Sequence, residues 1–180
     1  MKKTWFAALA LALVLGACDR GGSISDEIDK QEKAAAAEEV KVKAANDLYL
    51  AANKAKPGVM TTASGLQYKV LRQGDAKLAP PGPMDQVSVM YEGKLTSGKV
   101  FDSAYARGEP VSFVVTGVIP GWTEALQMMH PGDMYELTIP PDLGYGASAN
   151  GPIPANSILL FKVELLGYQR AVDGKVVKAQ

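Results

Sequence analysis

Five short stretches carry the residue types that could do chemistry: Val89-Met90-Tyr91-Glu92-Gly93, Phe101-Asp102-Ser103, Val118-Ile119-Pro120-Gly121-Trp122, Gly144-Tyr145-Gly146 and the aromatic Phe161. They combine aromatics, one acid and glycines with no activated nucleophile, metal-ligand set or phosphate loop. That chemistry suits an apolar cleft that grips a polypeptide backbone, and neither a metal nor a cofactor is called for. Taken singly, Phe161 and Trp122 also read as plain core residues. Asp102 is more diagnostic, because a carboxylate at the edge of an aromatic cleft needs a polar group to meet. His130 precedes Pro131-Gly132 in a turn and is assigned no catalytic role.

The elements that must position these residues follow from periodicity. Val87, Val89, Tyr91 and Leu95 fall on one face of a period-two strand, with Ser88, Glu92 and Lys94 on the other, and Thr96-Ser97-Gly98 makes a turn. Tyr135, Leu137 and Ile139 alternate with Glu136 and Thr138; Leu159, Phe161, Val163 and Leu165 alternate with Lys162 and Glu164. Such strands are half-buried, with one wet face. Trp122, Leu126 and Met129 sit at i, i+4 and i+7, one stripe of a short helix between Pro120-Gly121 and Pro131-Gly132. A two-turn helix cannot bury that stripe alone, so it must pack on the concave face of the sheet. The expected class is α+β: an antiparallel, twisted half-barrel sheet wrapped on one short helix, over residues 61 to 170, with 171 to 180 as a C-terminal tail.

Residues 18 to 60 differ from this pattern, being alanine-rich, evenly charged and almost free of aromatics. Ser23 followed by Asp26 resembles a capping box, Ala34-Ala35-Ala36-Ala37 favours a helix, and Lys56-Pro57-Gly58 should stop it. This reads as a mostly solvated helical tether. Apolar residues recur at Ile28, Ala35, Val42 and Tyr49, but the companion row Gln31, Glu38, Ala45 and Ala52 is polar or small. A strong coiled coil needs both rows, so the alternative is a weak homodimer through residues 25 to 56.

In the 180-residue chain, 19 basic and 19 acidic residues cancel and the basic ones are scattered, which argues against nucleic acid as a partner. Residues 1 to 17 have the layout of an export signal: Lys2-Lys3, then an apolar run from Trp5 to Leu15, too short to span a bilayer. Leu15-Gly16-Ala17-Cys18 resembles the lipobox of bacterial lipoproteins, and Cys18 is the one cysteine in the sequence. The resemblance implies a membrane lipid anchor at Cys18 and a place in the bacterial cell envelope, facing the periplasm.

Residues 64 to 167 resemble the FKBP-type peptidyl-prolyl isomerase domain. The landmarks stand in family order: Gly65-Leu66-Gln67-Tyr68, Val89 to Gly93, Gly98-Lys99-Val100-Phe101-Asp102-Ser103, Val118 to Trp122, Tyr145-Gly146, and Phe161-Lys162-Val163-Glu164-Leu165. The resemblance implies cis-trans isomerisation of X-Pro bonds in unfolded or nascent exported polypeptides. It implies Trp122 as the floor for the proline ring, Tyr91, Phe101 and Phe161 as walls, and Val111, Val118, Ile119 and Ile153 as substrate-binding residues. The Ile119 N–H and the Tyr145 hydroxyl would donate to substrate carbonyls, and Asp102 would orient the twisted group. Val111 departs from the pattern, standing where the best-known members carry a pocket aromatic. The competing function is a lipid-anchored binding module or holdase of the same fold, capturing chains through Met128-Met129 or the loop near Asn150.

Overall fold

A computed structural model describes residues 24 to 179. The elements run α1 (Ile24–Lys54), β1 (Met60–Thr61), β2 (Gln67–Arg72), β3 (Gln86–Leu95), β4 (Val100–Ser103), α2 (Ala104–Arg107), β5 (Val111–Val114), α3 (Pro120–Leu126), β6 (Met134–Ile139), β7 (Leu159–Gln169) and β8 (Val176–Lys178). The proposed helix cap at Ser23 and the whole leader, including Cys18, lie outside the described residues. Among those described, no helix is long and apolar enough to cross a membrane.

The sheet is antiparallel throughout and follows the order β1-β2-β6-β7-β3. The far edge of β3 is shared: β4 pairs with its Glu92–Lys94 end and β5 with its Gln86–Val89 end. That division sets the β4 acid and the β5 aromatic beside opposite ends of one edge of β3. Alternation along β3 puts Val87, Val89 and Tyr91 inward, as the period-two pattern predicts, and β7 buries Leu159, Phe161, Val163 and Leu165. The turn between β3 and β4 closes with Leu95 N–H bonded to Lys99 O at 2.9 Å, and Gly98 takes the left-handed conformation (φ 87°) that it alone adopts without strain.

Helix α3 buries Trp122, Ala125 and Leu126 against this inward face. Pro120 occupies its first turn, where a missing N–H costs nothing. The helix ends five residues before Pro131, because Met128 N–H and Met129 N–H bond back only three residues, to Ala125 O and Leu126 O, tightening the last turn. Met129 nevertheless completes the stripe, fully buried. Residues beyond 170 add β8, whose Val176–Lys178 pair with Gly167–Gln169.

Two readings of solvent exposure change. Thr138, assigned to a wet face by alternation, is only 4% exposed, since Asn53 from α1 donates to its hydroxyl at 3.1 Å and to Gln67 Oε1 at 2.9 Å. Helix α1 itself is exposed from Glu27 through Lys41, but from there Val42, Asn46, Tyr49, Leu50 and Asn53 are covered, the spacing of one helical stripe. The end of α1 is therefore part of the compact unit that runs from Glu39 onward rather than solvated tether.

Candidate active site

The register around Gly93 organises the site. Gly93 stands opposite Asp102 of β4 on one side and opposite Phe161 of β7 on the other. A Cβ there would lie 2.6 Å from both the Phe101 and Phe161 rings, so the absence of a side chain is what lets the two aromatics close against the strand. Their rings meet edge to face, with centroids 5.5 Å apart. Gly121 plays the same part under the helix, where a Cβ would lie 2.7 Å from Ile139.

Trp122 is 4% exposed and stands nearly perpendicular to three rings: Tyr91 at 5.1 Å, Phe161 at 5.2 Å and Phe113 at 5.8 Å, all with interplanar angles of 80° or more. Perpendicular pairs of this kind set the positive edge of one ring against the negative face of the other and contribute about 0.5–1.5 kcal/mol each beyond burial. Among the described residues the Trp122 Nε1–H is buried without a partner. Over these rings lies a cavity of about 600 Å³ whose lining includes Tyr91, Phe101, Asp102, Phe113, Val118, Ile119, Trp122, Tyr145, Asn150, Pro152, Ile153 and Phe161.

Two loops supply the rest of the rim. Ile119 caps α3 in an extended conformation, its carbonyl accepting from Trp122 N–H at 2.9 Å and Thr123 N–H at 3.1 Å, while no hydrogen bond uses its own N–H among the described residues. Ile153 is buried and bridged to Asn150. Tyr145 is 38% exposed and no side-chain bond engages its hydroxyl within the described residues, which leaves that donor available at the rim.

Asp102 is held by two donors. The Tyr91 hydroxyl donates to one carboxylate oxygen and the Arg107 guanidinium to the other, while Arg107 also donates to the Tyr91 oxygen at 3.3 Å and lies 5.8 Å from the centre of its ring. Burial alone pushes the Asp102 carboxyl up, but the hydrogen bonds from Tyr91 and Arg107, with the guanidinium charge, outweigh it and hold the group below its ordinary value. Burial, reinforced by the bond to Asp102, raises the Tyr91 phenol. At neutral pH Asp102 is thus ionised and the Tyr91 phenol beside it neutral.

The structure gathers Tyr91, Phe101, Asp102, Val118, Ile119, Trp122, Tyr145, Ile153 and Phe161 around one cavity. It does not bring Val111 to it. Val111 pairs with Val89 and packs on the core, while Phe113, two residues along the same face, supplies the ring at that wall. Sequence reasoning missed Phe113 and Arg107. A signal for Arg107 exists: Ser103 accepts from Ala106 N–H at 3.1 Å and Gly108 closes the helix with φ 77°, so Ser103 and Gly108 bracket a single turn that returns Arg107 to Asp102. At the suggested capture surface Met129 is fully buried, while Met128 is partly buried against the core.

Comparison with known proteins adds to this geometry. Residues 79–166 match the family of FKBP-type peptidyl-prolyl cis-trans isomerases, and residues 20–70 match the domain amino terminal to FKBP-type peptidyl-prolyl isomerase. "Outer membrane protein MIP" of Legionella longbeachae is 48% identical over 130 residues, 72% of this chain and 55% of that protein. The crystal structure of FkpA from Escherichia coli is similar with a TM-score of 0.67 at 43% identity, covering 82% of this chain and 66% of that one. A crystal structure of a peptidyl-prolyl cis-trans isomerase from Pseudomonas syringae gives a TM-score of 0.66 at 36% identity, covering 71% of this chain and 93% of that one. The chain spans about half the length of the first curated relatives it matches.

Proposed function

Because the chain belongs to the FKBP-type peptidyl-prolyl cis-trans isomerase family, we propose that its aromatic cavity accelerates cis-trans isomerisation of X-Pro bonds in exported polypeptides as they fold. The observation that carries this reading is Trp122, flanked by three perpendicular aromatic rings beneath a cavity of about 600 Å³ with a single carboxylate at its edge.

The reaction is a rotation. Turning a peptide bond costs about 18–20 kcal/mol, and X-Pro bonds, close in cis and trans energy, interconvert in tens to hundreds of seconds unaided. No bond breaks, so the catalyst has only to bind the twisted amide better than the planar one. Twisting removes resonance and reduces charge separation between oxygen and nitrogen, and a group so altered loses less on leaving water for an aromatic cavity. In this reading Trp122 carries the proline ring, with Tyr91, Phe101, Phe113 and Phe161 around it. The Ile119 N–H and Tyr145 hydroxyl hold substrate carbonyls, and Asp102, fixed by Tyr91 and Arg107, orients the rotating amide. A differential of about 5–6 kcal/mol supplies roughly four orders of magnitude in rate.

A proline-limited refolding assay comparing the wild type with Trp122→Leu and Asp102→Ala tests this. Both variants are expected to lose about tenfold or more in kcat/KM, ~1.4 kcal/mol or more of transition-state stabilisation. Uncatalysed rates for all three proteins would defeat the reading.

The same proposal puts the protein in the bacterial envelope, facing the periplasm and anchored by acyl chains on Cys18. The export-type leader and the name of the Legionella relative support it. Acyl chains hold a membrane at about 0.8 kcal/mol per buried methylene, so two or more anchor stably. Labelled palmitate should enter the wild type and not Cys18→Ser; equal labelling would rule the anchor out. Weak pairing of two copies through residues 25 to 56 completes the proposal.

A further inference from the structure

The loop on one side of the cavity, residues 146 to 157, carries Asn150, Pro152 and Ile153 into the lining and follows directly on Tyr145. Most of its hydrogen bonds are its own. Asn150 and Ile153 exchange backbone bonds at 2.9 and 3.0 Å, the Ser157 hydroxyl donates to Pro154 O at 2.7 Å, and Asn156 N–H closes the base by donating to Gly146 O at 2.7 Å. Asn156 takes φ 54°, the left-handed region that penalises a side chain, and it is the one non-glycine residue there among those described. Asparagine adopts that region more readily than other side chains do, and a bond from outside the loop secures it further.

That support comes from a distant element. The Asn46 side-chain amide of α1 donates to Asn156 O at 2.8 Å, across 110 residues of sequence. Only the NH₂ end of an asparagine can face a carbonyl, so the direction of the bond is unambiguous. Among the described residues no other hydrogen bond reaches residues 147 to 157 from another element. Asn46 lies on the covered stripe of α1 between Val42 and Asn53, and Asn53 is itself fixed to Gln67 and Thr138. The donor is therefore anchored from behind while it braces the base of the loop.

We propose that Asn46 is a positioning residue for substrate: it does not touch the bound polypeptide, but through Asn156 it holds the loop that places Tyr145 and Ile153, so that helix α1 sets the affinity of the cavity. This rests on the isomerase reading. If the loop must be ordered before it can grip a chain, loosening it adds an ordering cost to binding and raises KM with little effect on the rotation itself.

The test uses the full chain as wild type, Asn46→Ala, Asn46→Asp and Asn46→Gln. Asn46→Asp keeps the shape and removes the donor, so it serves if the alanine variant does not fold; Asn46→Gln keeps an amide. Amide hydrogen exchange is followed in the absence of substrate, and kcat and KM are measured with a proline-containing peptide. Loss of one neutral hydrogen bond is expected to speed exchange within residues 146 to 157 roughly three- to tenfold and to raise KM by a similar factor, with β3 and β7 exchange and kcat nearly unchanged. Partial recovery is expected in Asn46→Gln. Loop exchange equal to wild type in the alanine and aspartate variants would overturn the proposal, and so would faster loop exchange with unchanged KM. A wild type that binds the peptide without accelerating its isomerisation defeats the isomerase reading alone; the role of Asn46 is then judged by the same exchange data and the peptide Kd.

Discussion

Asp102 is kept in place by partners that differ in kind: a neutral phenol from β3 and a guanidinium from a one-turn helix. Because the carboxyl is held below 3.8, the folded state binds its proton more weakly than the unfolded chain does. Its contribution to stability is therefore complete above pH 3.8 and disappears as pH falls through the lower folded value. Denaturation of the wild type and Asp102→Asn across pH 2 to 7 should show a constant gap at neutral pH that narrows in acid. A gap that widened in acid would contradict the assigned direction. The pair is partly exposed, so salt should shrink the gap as well. The acid was legible in sequence because a lone carboxylate beside aromatics has few reasons to exist. Its cation was not, because an arginine five residues on looks like any solvated charge until a serine cap and a left-handed glycine define the turn between them.

At the scale of elements, strands read well wherever one face meets solvent and the other the core. Tyr91, Leu137 and Phe161 were all placed on their correct faces by alternation. The rule failed at Thr138, where a helix from elsewhere in the chain covers the outer face, and polarity cannot distinguish a threonine facing water from one facing an asparagine. The helix that covers it was recognised, but its docking was not, since a stripe of Asn46, Leu50 and Asn53 carries too little apolar signal to announce burial. Replacing Asn53 with alanine removes both bonds it donates and leaves Gln67 Oε1 and Thr138 Oγ1 short of a partner, at a cost of about 1–3 kcal/mol. Chemical denaturation measures that loss, and a midpoint identical to wild type would mean the latch contributes nothing. Val111 and Phe113 make a similar point. Both lie on the inward face of β5, and which of them meets the cavity depends on how far β5 slides along β3, a register that the sequence leaves open.

Across the whole molecule, α1 does two jobs along its length. Its last turns belong to the compact unit that runs from Glu39 onward, so Val42 and Tyr49, half of the apolar row at seven-residue spacing, are already partly covered within one chain. Ile28 and Ala35, the other half of that row, stay exposed, Ile28 by 49%, and these are the residues a second copy would bury. Pairing is thus expected to be weak and to depend on the N-terminal part of the helix. Concentration-dependent mass measurements on the chain with and without residues 19 to 38 should show association only when that part is present; identical masses at every concentration would dispose of pairing.

Gly93 bears on how such a cavity can change. Two rings press on that position from neighbouring strands, and any added carbon there collides with both, so the sheet side of the enclosure admits almost no variation in shape. The side formed by residues 146 to 157 has no such constraint at its tip. If the cavity takes peptides as proposed, differences in which ones are accepted are expected to fall on the loop, leaving the paved wall as the fixed jaw and the loop as the adjustable one.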